Sequence, residues 1–270
     1  MLPDHLQSVL LTPFSHVAGI VGGTTYGVAK KTTLVSVKVF DQDTGLASTV
    51  IAGFQWAVKD ITSKGRQNTA VINMSLGGRA STTWDAALTA AWEQGVLAVV
   101  AAGNENQLGS NVSPCRSVEA LCVGNTDKND ARFSAGGGSN YGDAVDIWAA
   151  GTNILSAYPG WAGELDSTRS LTGTSQASPH VAGLVSYLRA LEGMASAADM
   201  KAKVLALATP DLVTDGMGAA NLMAFNGVPQ QMIIAPNGTI NGTTNGTRNG
   251  TTGFVGRRSY GLYGRRVIGA

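Results

Sequence analysis

The chain has 270 residues, a length that can bury the core of one large domain. A hydrophobic fraction of 44% excludes a disordered chain, and the net charge of +1 argues against nucleic-acid binding through bulk electrostatics. No apolar run reaches the roughly 18 residues of a membrane span, which excludes an integral membrane protein. The 35 glycines predict many tight turns and close backbone approaches.

The first half of the chain alternates strand-like and helix-like segments. β-branched residues predict a strand over 32–40, and apolar residues at helical spacing predict a helix over 49–63. A second strand is expected over 69–76 and a second helix over 84–94. The continuous apolar run at 96–102 is typical of a strand covered on both faces.

The second half continues the alternation and decides the fold class. Shorter strands are expected near 120–124, 144–149 and 152–157. Helices are expected over 175–191 and 197–208. Because strand and helix alternate along the chain, right-handed crossovers and a parallel sheet under helices follow. The sequence therefore predicts an α/β fold.

The pattern stops at about residue 228. Residues 237–252 form a four-residue Asn-Gly-Thr repeat, from which no core can be built. We therefore predict that 228–270 is a low-complexity linker followed by a disordered basic tail. Each repeat is an acceptor for N-glycosylation, which requires the secretory pathway, yet the first residues do not resemble a signal peptide. The acceptor asparagines are Asn237, Asn241, Asn245 and Asn249.

Cysteine and histidine are scarce, which argues against a structural zinc site. The chain has two cysteines, Cys115 and Cys122, and three histidines. The cysteines either close a small disulfide or remain as two buried thiols, and their spacing alone does not decide between these alternatives.

A Gly-Thr-Ser sequence stands immediately before the apolar helix predicted to begin near Ser175. A serine at a helix N-terminus is exposed, and the free N–H groups and helix dipole there favour developing negative charge. Ser175 could therefore be a nucleophile, although a plain N-cap is the alternative for an isolated motif. Ala177 replaces the final glycine of G-x-S-x-G, so the α/β-hydrolase motif is not matched.

The extended string GTSQASPHVAGLVSYL resembles the nucleophile motif of subtilisin-like serine proteases, and the body resembles their proteinase K subfamily. Segments 16–30, 72–78 and 98–106 resemble further motifs of that family in order and spacing. The likeness covers roughly 14–227. It implies a three-layer subtilisin-like fold with a mostly parallel central sheet, incomplete at the N-terminus, behind a non-homologous leader at 1–13.

The resemblance implies catalytic and substrate-binding roles for five residues. Ser175 would attack the scissile carbonyl, and Asn104 would donate its side-chain N–H to the oxyanion together with the backbone N–H of Ser175. Three residues would lay their backbone along a polypeptide substrate as an added strand: Ser75, Leu76 and Gly77.

The resemblance also implies a structural calcium ion. Its ligands here would be the carbonyls of Val118 and Ala120 and the carboxylate of Asp146, a set that suits Ca²⁺. The alternative is that Asp146 is merely an exposed strand residue. His180 is expected to be structural, behind Ser175. By resemblance the protein would be a secreted monomer.

The histidine motif departs from that family. The family pattern is H-G-T-H followed by a small or β-branched residue and A-G, and it falls here on Pro13 to Gly19. Pro13 therefore stands at the catalytic histidine, and His16 matches the second, non-catalytic one. The catalytic Asp would lie further upstream, and the adjacent Asp4 and His5 belong to the unrelated leader. We therefore expect the chain to be inactive as written, because a serine hydroxyl without a general base is a poor nucleophile.

Two functions remain open. One is a serine endopeptidase whose sequence is incomplete at the N-terminus; the other is a pseudopeptidase that binds peptides without cleaving them. Retention of Ser175 and Asn104 favours the first, because a binding module needs neither.

Overall fold

The computed structural model of the chain describes residues 13–40, 45–158, 167–193 and 195–228. The expectations for the leader, including Asp4 and His5, and for the Asn-Gly-Thr repeat and basic tail lie outside these residues. No helix in the described segments is long and apolar enough to cross a membrane.

Five α-helices lie in the described residues, and the four expected from periodicity are all among them. Side-chain caps start two of them: the Ser81 hydroxyl accepts from the Trp84 N–H, and the Ser196 hydroxyl accepts from the Asp199 N–H. The helices are α1 (Pro13–Gly22), α2 (Ala47–Ser63), α3 (Thr82–Glu93), α4 (Thr174–Glu192) and α5 (Ala197–Leu207).

In the part of the chain that the structure describes, ten short strands form one central sheet and two small ribbons. In the ribbons, β2 (Gly78–Arg79) pairs with β4 (Val112–Ser113), and β7 (Ile154–Ala157) pairs with β8 (Thr168–Leu171), both antiparallel. The sheet has the order β1-β3-β5-β6-β10-β9, and only its last pair is antiparallel. Its strands are β1 (Ile72–Met74), β3 (Ala98–Ala101), β5 (Leu121–Thr126), β6 (Ile147–Ala150), β9 (Thr209–Pro210) and β10 (Leu222–Met223).

Successive side chains of the central strands enter two different cores. In β3, Val99 packs in the core formed with α4 and α5, while Val100 packs in the core formed with α2 and α3. Leu121 and Cys122 of β5 divide in the same way. Helices therefore cover both faces of the sheet in a three-layer α/β arrangement, which explains the unbroken apolar run in this part of the sequence.

The strand predicted over 32–40 is wrong. The structure gives these residues no strand, and within the described segments nothing pairs with them. Val39 and Phe40 instead pack against the core beside α2, so closely that a Cβ added at Gly53 would lie 2.2 Å from Val39 Cγ1. Only the end of the segment is partly buried there, whereas Leu34 and Val35 are 46% and 57% exposed. Its β-branched composition does not make it a strand, because strand propensity alone does not supply a hydrogen-bonded neighbour.

The two cysteines form a disulfide, which decides the alternative left open by their spacing. Cys115 follows β4 and Cys122 belongs to β5, and both side chains are buried. The bond therefore fastens the start of a central strand to the ribbon beside it.

Candidate active site

Ser175 lies in the first turn of α4, as the sequence predicts. Its side chain is half-buried, and its backbone N–H is among the four at a helix start that have no partner within the helix. Gly173 precedes the helix with φ 155°, a conformation that favours glycine. A Cβ at Gly173 would also lie 3.3 Å from the Asn104 amide oxygen, so the turn that presents Ser175 fits closely against Asn104.

Asn104 is fixed by the residue before Ser175. It follows β3 through Gly103, whose φ of 98° turns the chain. The Asn104 Oδ1 atom accepts from the Thr174 N–H at 2.8 Å and from the Thr174 hydroxyl at 3.1 Å. Because the oxygen faces Thr174, the exposed amide presents its NH₂ group as a donor.

Ser75 and Ser175 are joined by two hydrogen bonds. The Ser175 Oγ donates to the Ser75 carbonyl at 3.2 Å, and the Ser75 Oγ donates to the Ser175 carbonyl at 2.9 Å. The Ser75 hydroxyl also lies 2.9 Å from the Ser178 Oγ, and it accepts from the Asn73 amide at 3.0 Å. The segment after β1 is thus fastened to the helix that carries the candidate nucleophile.

The proposed substrate-binding segment continues from Ser75 along the surface. Leu76 packs partly against the core, while Gly77 is exposed and leads into β2. Ser75 follows β1, Asn104 follows β3, and the carboxyl ends of parallel strands meet at the same edge of a sheet. The structure therefore brings Ser175, Asn104 and the Ser75 segment together at one edge.

The three predicted calcium ligands also converge, but a lysine ammonium lies among them. Lys201 Nζ donates to the Val118 carbonyl at 2.8 Å and to the Ala120 carbonyl, and it lies 3.4 Å from Asp146 Oδ1. Burial raises the pKa of Asp146, while Lys201 and the Cys122 N–H oppose that rise. An ammonium at this point does not fit together with a bound calcium ion. The calcium site stays a prediction.

Comparison with known proteins shows the family of this chain. The sequence profile of peptidase S8, the subtilase family, matches residues 15–252. The chain belongs to the subtilase family.

Its similarity extends to named subtilases of fungi. It is 51% identical over 224 residues to alkaline protease 1 of Aspergillus clavatus, covering 83% of this chain and 54% of that protein. It is 48% identical over 214 residues to the alkaline proteinase of Hapsidospora chrysogena, covering 79% of this chain and 52% of that protein. The chain thus spans about half the length of the curated relatives it matches.

A solved subtilase has the same architecture. The crystal structure of a cold adapted subtilisin-like serine proteinase matches with a TM-score of 0.70 and 34% sequence identity, over 78% of this chain and 73% of that one. The similarity confirms the predicted subtilisin-like fold with its mostly parallel sheet.

The His16 side chain of this subtilase is buried against a β-ribbon. Its side chain is fully buried, and its Nε2 lies 2.9 Å from the carbonyls of both Ile154 and Arg169, which join it to the β7–β8 ribbon. Burial lowers the pKa of His16, and these two carbonyls oppose the shift. This setting agrees with the alignment of His16 to the second histidine of the family motif.

His180 is also buried, on the helix that carries Ser175. Burial lowers its pKa to about 3, against smaller opposing contributions from backbone hydrogen bonds with Gln176 and Ala150. The ring is therefore neutral at physiological pH. This setting agrees with the structural role expected from the sequence.

Four residues that contact the candidate active site or the predicted calcium ligands were not singled out from the sequence. Two of them have a signal that could have been used: Thr174 is part of the Gly-Thr-Ser motif, and Ser178 stands before a proline inside the same helix. Asn73 donates to a hydroxyl only two residues further along the chain, and no motif marked it. Lys201 reaches its partners through contacts between distant segments. The four are Asn73, Thr174, Ser178 and Lys201.

Proposed function

We propose that this subtilase carries the nucleophile, oxyanion and substrate-binding parts of a serine endopeptidase that acts on polypeptides, and that the 270-residue chain by itself does not cleave them. Ser175 is the nucleophile. Asn104 and the Ser175 N–H bind the oxyanion, and the segment Ser75, Leu76 and Gly77 holds the substrate backbone.

The observation that carries the nucleophile assignment is the position of Ser175 beside Asn104. Both are held by Thr174, which follows Gly173 and donates to the Asn104 amide oxygen. The donor end of that amide and the first-turn N–H of Ser175 are the two kinds of group that stabilise a tetrahedral oxyanion. A helix N-terminus adds a favourable field for the same negative charge.

The observation that supports inactivity is the partner of the Ser175 hydroxyl. Its hydrogen bond goes to the Ser75 carbonyl at 3.2 Å, and a peptide carbonyl cannot take up the proton as an imidazole does. Pro13 stands where the family motif has its catalytic histidine. Loss of the general base costs about 10⁶-fold in kcat in subtilisin, itself a subtilase.

The alternative is a pseudopeptidase that binds peptides without cleaving them. The hydrogen bond from the Ser175 hydroxyl to the Ser75 carbonyl favours it, because that hydroxyl then has no base as its partner. Peptide binding along the segment that ends at Gly77 does not require a general base, because an added strand is held by backbone hydrogen bonds. Both functions suit an oxidising, extracellular compartment, since the Cys115–Cys122 disulfide persists where thiols are not kept reduced. We propose a secreted monomer in either case.

Labelling with a fluorophosphonate probe tests the proposal. We expect the purified, folded chain to react slowly at Ser175, and we expect added imidazole to accelerate the reaction because it supplies a base from solution. The Ser175→Ala variant controls for labelling at other hydroxyls. Rapid labelling without imidazole would show that a base is present and would contradict inactivity.

Titration with an uncleaved apolar peptide separates the two functions. Imidazole-dependent labelling at Ser175 supports the endopeptidase, because the oxyanion site must then be competent. Peptide binding without any labelling supports the pseudopeptidase. A folded chain that neither binds peptide nor reacts at Ser175 in imidazole would overturn both.

A further inference from the structure

The loop before β5 and the residue before β6 form a cluster of oxygen atoms around a single cation. The Val118 and Ala120 carbonyls and the Asp146 carboxylate all lie within hydrogen-bonding or ion-pairing distance of Lys201 Nζ. An ammonium has three N–H donors, and the cluster offers three acceptor groups. The donors and acceptors of this cluster are therefore matched in number.

The position of Lys201 is fixed by its helix. Its neighbours on α5, Met200 and Val204, are buried in the core under the sheet. The Lys201 side chain is only 14% exposed, and the Asp146 side chain is 25% exposed. Asp146 is itself held by the Cys122 N–H, which donates to its Oδ2 at 2.8 Å. Both partners of this ion pair are thus placed by buried neighbours, unlike those of a solvated surface pair.

We propose that the ammonium of Lys201 takes the place of the calcium ion that the resemblance to proteinase K predicts at Val118, Ala120 and Asp146. The loop is then held by a cation that belongs to the chain. Calcium could bind these oxygens at its usual 2.3–2.6 Å only after the ammonium had left. The stability of this region is therefore independent of calcium, and the proposal does not rest on the proposed function.

Removal of the lysine charge should create a calcium requirement. We expect the Tm of the wild-type chain to be the same in millimolar calcium and in chelator. We expect Lys201→Met to have a lower Tm in chelator and to recover in calcium but not in magnesium, because the freed oxygens then bind the larger ion. Lys203→Met is the matched control, since Lys203 lies on the same helix but pairs with the exposed Glu192 at 2.6 Å.

Two results of these melting experiments would overturn the proposal. One is a calcium-dependent rise of Tm in the wild type that disappears in Asp146→Asn, because calcium would then bind despite Lys201. The other is a folded Lys201→Met chain whose Tm does not respond to calcium, because the three oxygens would then not form a cation site.

Reductive methylation of the unaltered chain gives a second test that needs no variant. We expect the side-chain nitrogen of Lys201 to react several-fold more slowly than that of Lys203 by mass spectrometry, with or without calcium. The neutral amine is the reacting form, and at Lys201 it forms only after the ammonium has given up its hydrogen bonds. Calcium that accelerates methylation at Lys201 would show displacement of the ammonium and would overturn the proposal. Equal rates at the two lysines without calcium would overturn it as well.

Discussion

Ser75 supplies the hydrogen bond that Pro179 cannot make. Proline has no N–H, so Pro179 leaves the carbonyl four residues before it, that of Ser175, without its partner within the helix. The Ser75 hydroxyl donates to that carbonyl at 2.9 Å. A proline inside the helix thus creates the acceptor by which the segment after β1 is attached to the backbone of the proposed nucleophile.

Replacement of Ser75 should therefore depend on the residue at 179. We expect Ser75→Ala to lower the free energy of unfolding by about 1–2 kcal/mol, because the Ser175 carbonyl loses its partner. In the Pro179→Ala background the new N–H can pair with that carbonyl, so the same change should cost about 1 kcal/mol less. Urea denaturation of the four chains measures the coupling. If the two substitutions lower the free energy of unfolding additively, the coupling between Ser75 and Pro179 is contradicted.

Two substitutions at Asn104 should separate its structural and chemical roles. Asn104→Ala removes the acceptor of two bonds from Thr174, and we expect a loss of about 1–2 kcal/mol in the free energy of unfolding. Asn104→Asp keeps the acceptor at a helix N-terminus and should stay within about 0.5 kcal/mol of the wild type.

The proposed oxyanion role of Asn104 predicts a different order of the two variants in reactivity than in stability. Asn104→Asp lacks the N–H donor, so imidazole-dependent labelling of Ser175 should fall by about 10²–10³-fold although the chain is stable. The labelling rate is measured at equal folded fractions by near-ultraviolet circular dichroism. An undiminished rate in Asn104→Asp would remove Asn104 from the oxyanion site.

Stability should fall as the pH drops below neutrality because of His180. Its folded pKa of about 3 is lower than the 6.5 of an unfolded histidine, so the unfolded chain binds more protons between these values. The free energy of unfolding is not reduced by His180 above about pH 6.5. Below that pH it falls by up to about 1.4 kcal/mol per pH unit until the folded pKa is reached.

His180→Gln should reduce the slope of stability against pH over the range from 6.5 towards 3, measured by urea denaturation at several pH values. The wild type offers an independent check, since nuclear magnetic resonance should show the His180 ring neutral down to about pH 4. A ring that titrates near pH 6.5 in the folded chain would refute the assignment.

Loss of the Cys115–Cys122 disulfide should lower the free energy of unfolding. Closure of a loop of this length restricts the unfolded chain by about 2–3 kcal/mol. A reductant should therefore lower the Tm of the wild type, and the Cys115→Ala/Cys122→Ala chain should melt at a similarly low temperature without responding to reductant. Equal melting of the oxidised and reduced wild type would contradict this expectation.

Sequence patterns correctly predicted the elements that depend only on residues within one segment. The helix expected over 49–63 is α2, because its apolar spacing and its burial are properties of one segment. The 32–40 segment was mispredicted because a strand requires a neighbour, which propensity does not report. The candidate active site and the predicted calcium ligands differ in the same way. Asn104 and Ser175 lie in recognisable motifs, whereas Lys201 reaches Val118 only through the packing of α5.

Because helices cover both faces of the sheet, its central strands should be the last part of the protein to unfold. The residues of β3 are nearly inaccessible to solvent, and β5 is buried along its whole length. Their amide protons should exchange with deuterium only when the whole domain unfolds. Asn104 lies three residues after the end of β3, so the proposed oxyanion donor is attached to the part of the protein expected to exchange most slowly. Peptide contacts at the surface can then fluctuate while that amide keeps its place.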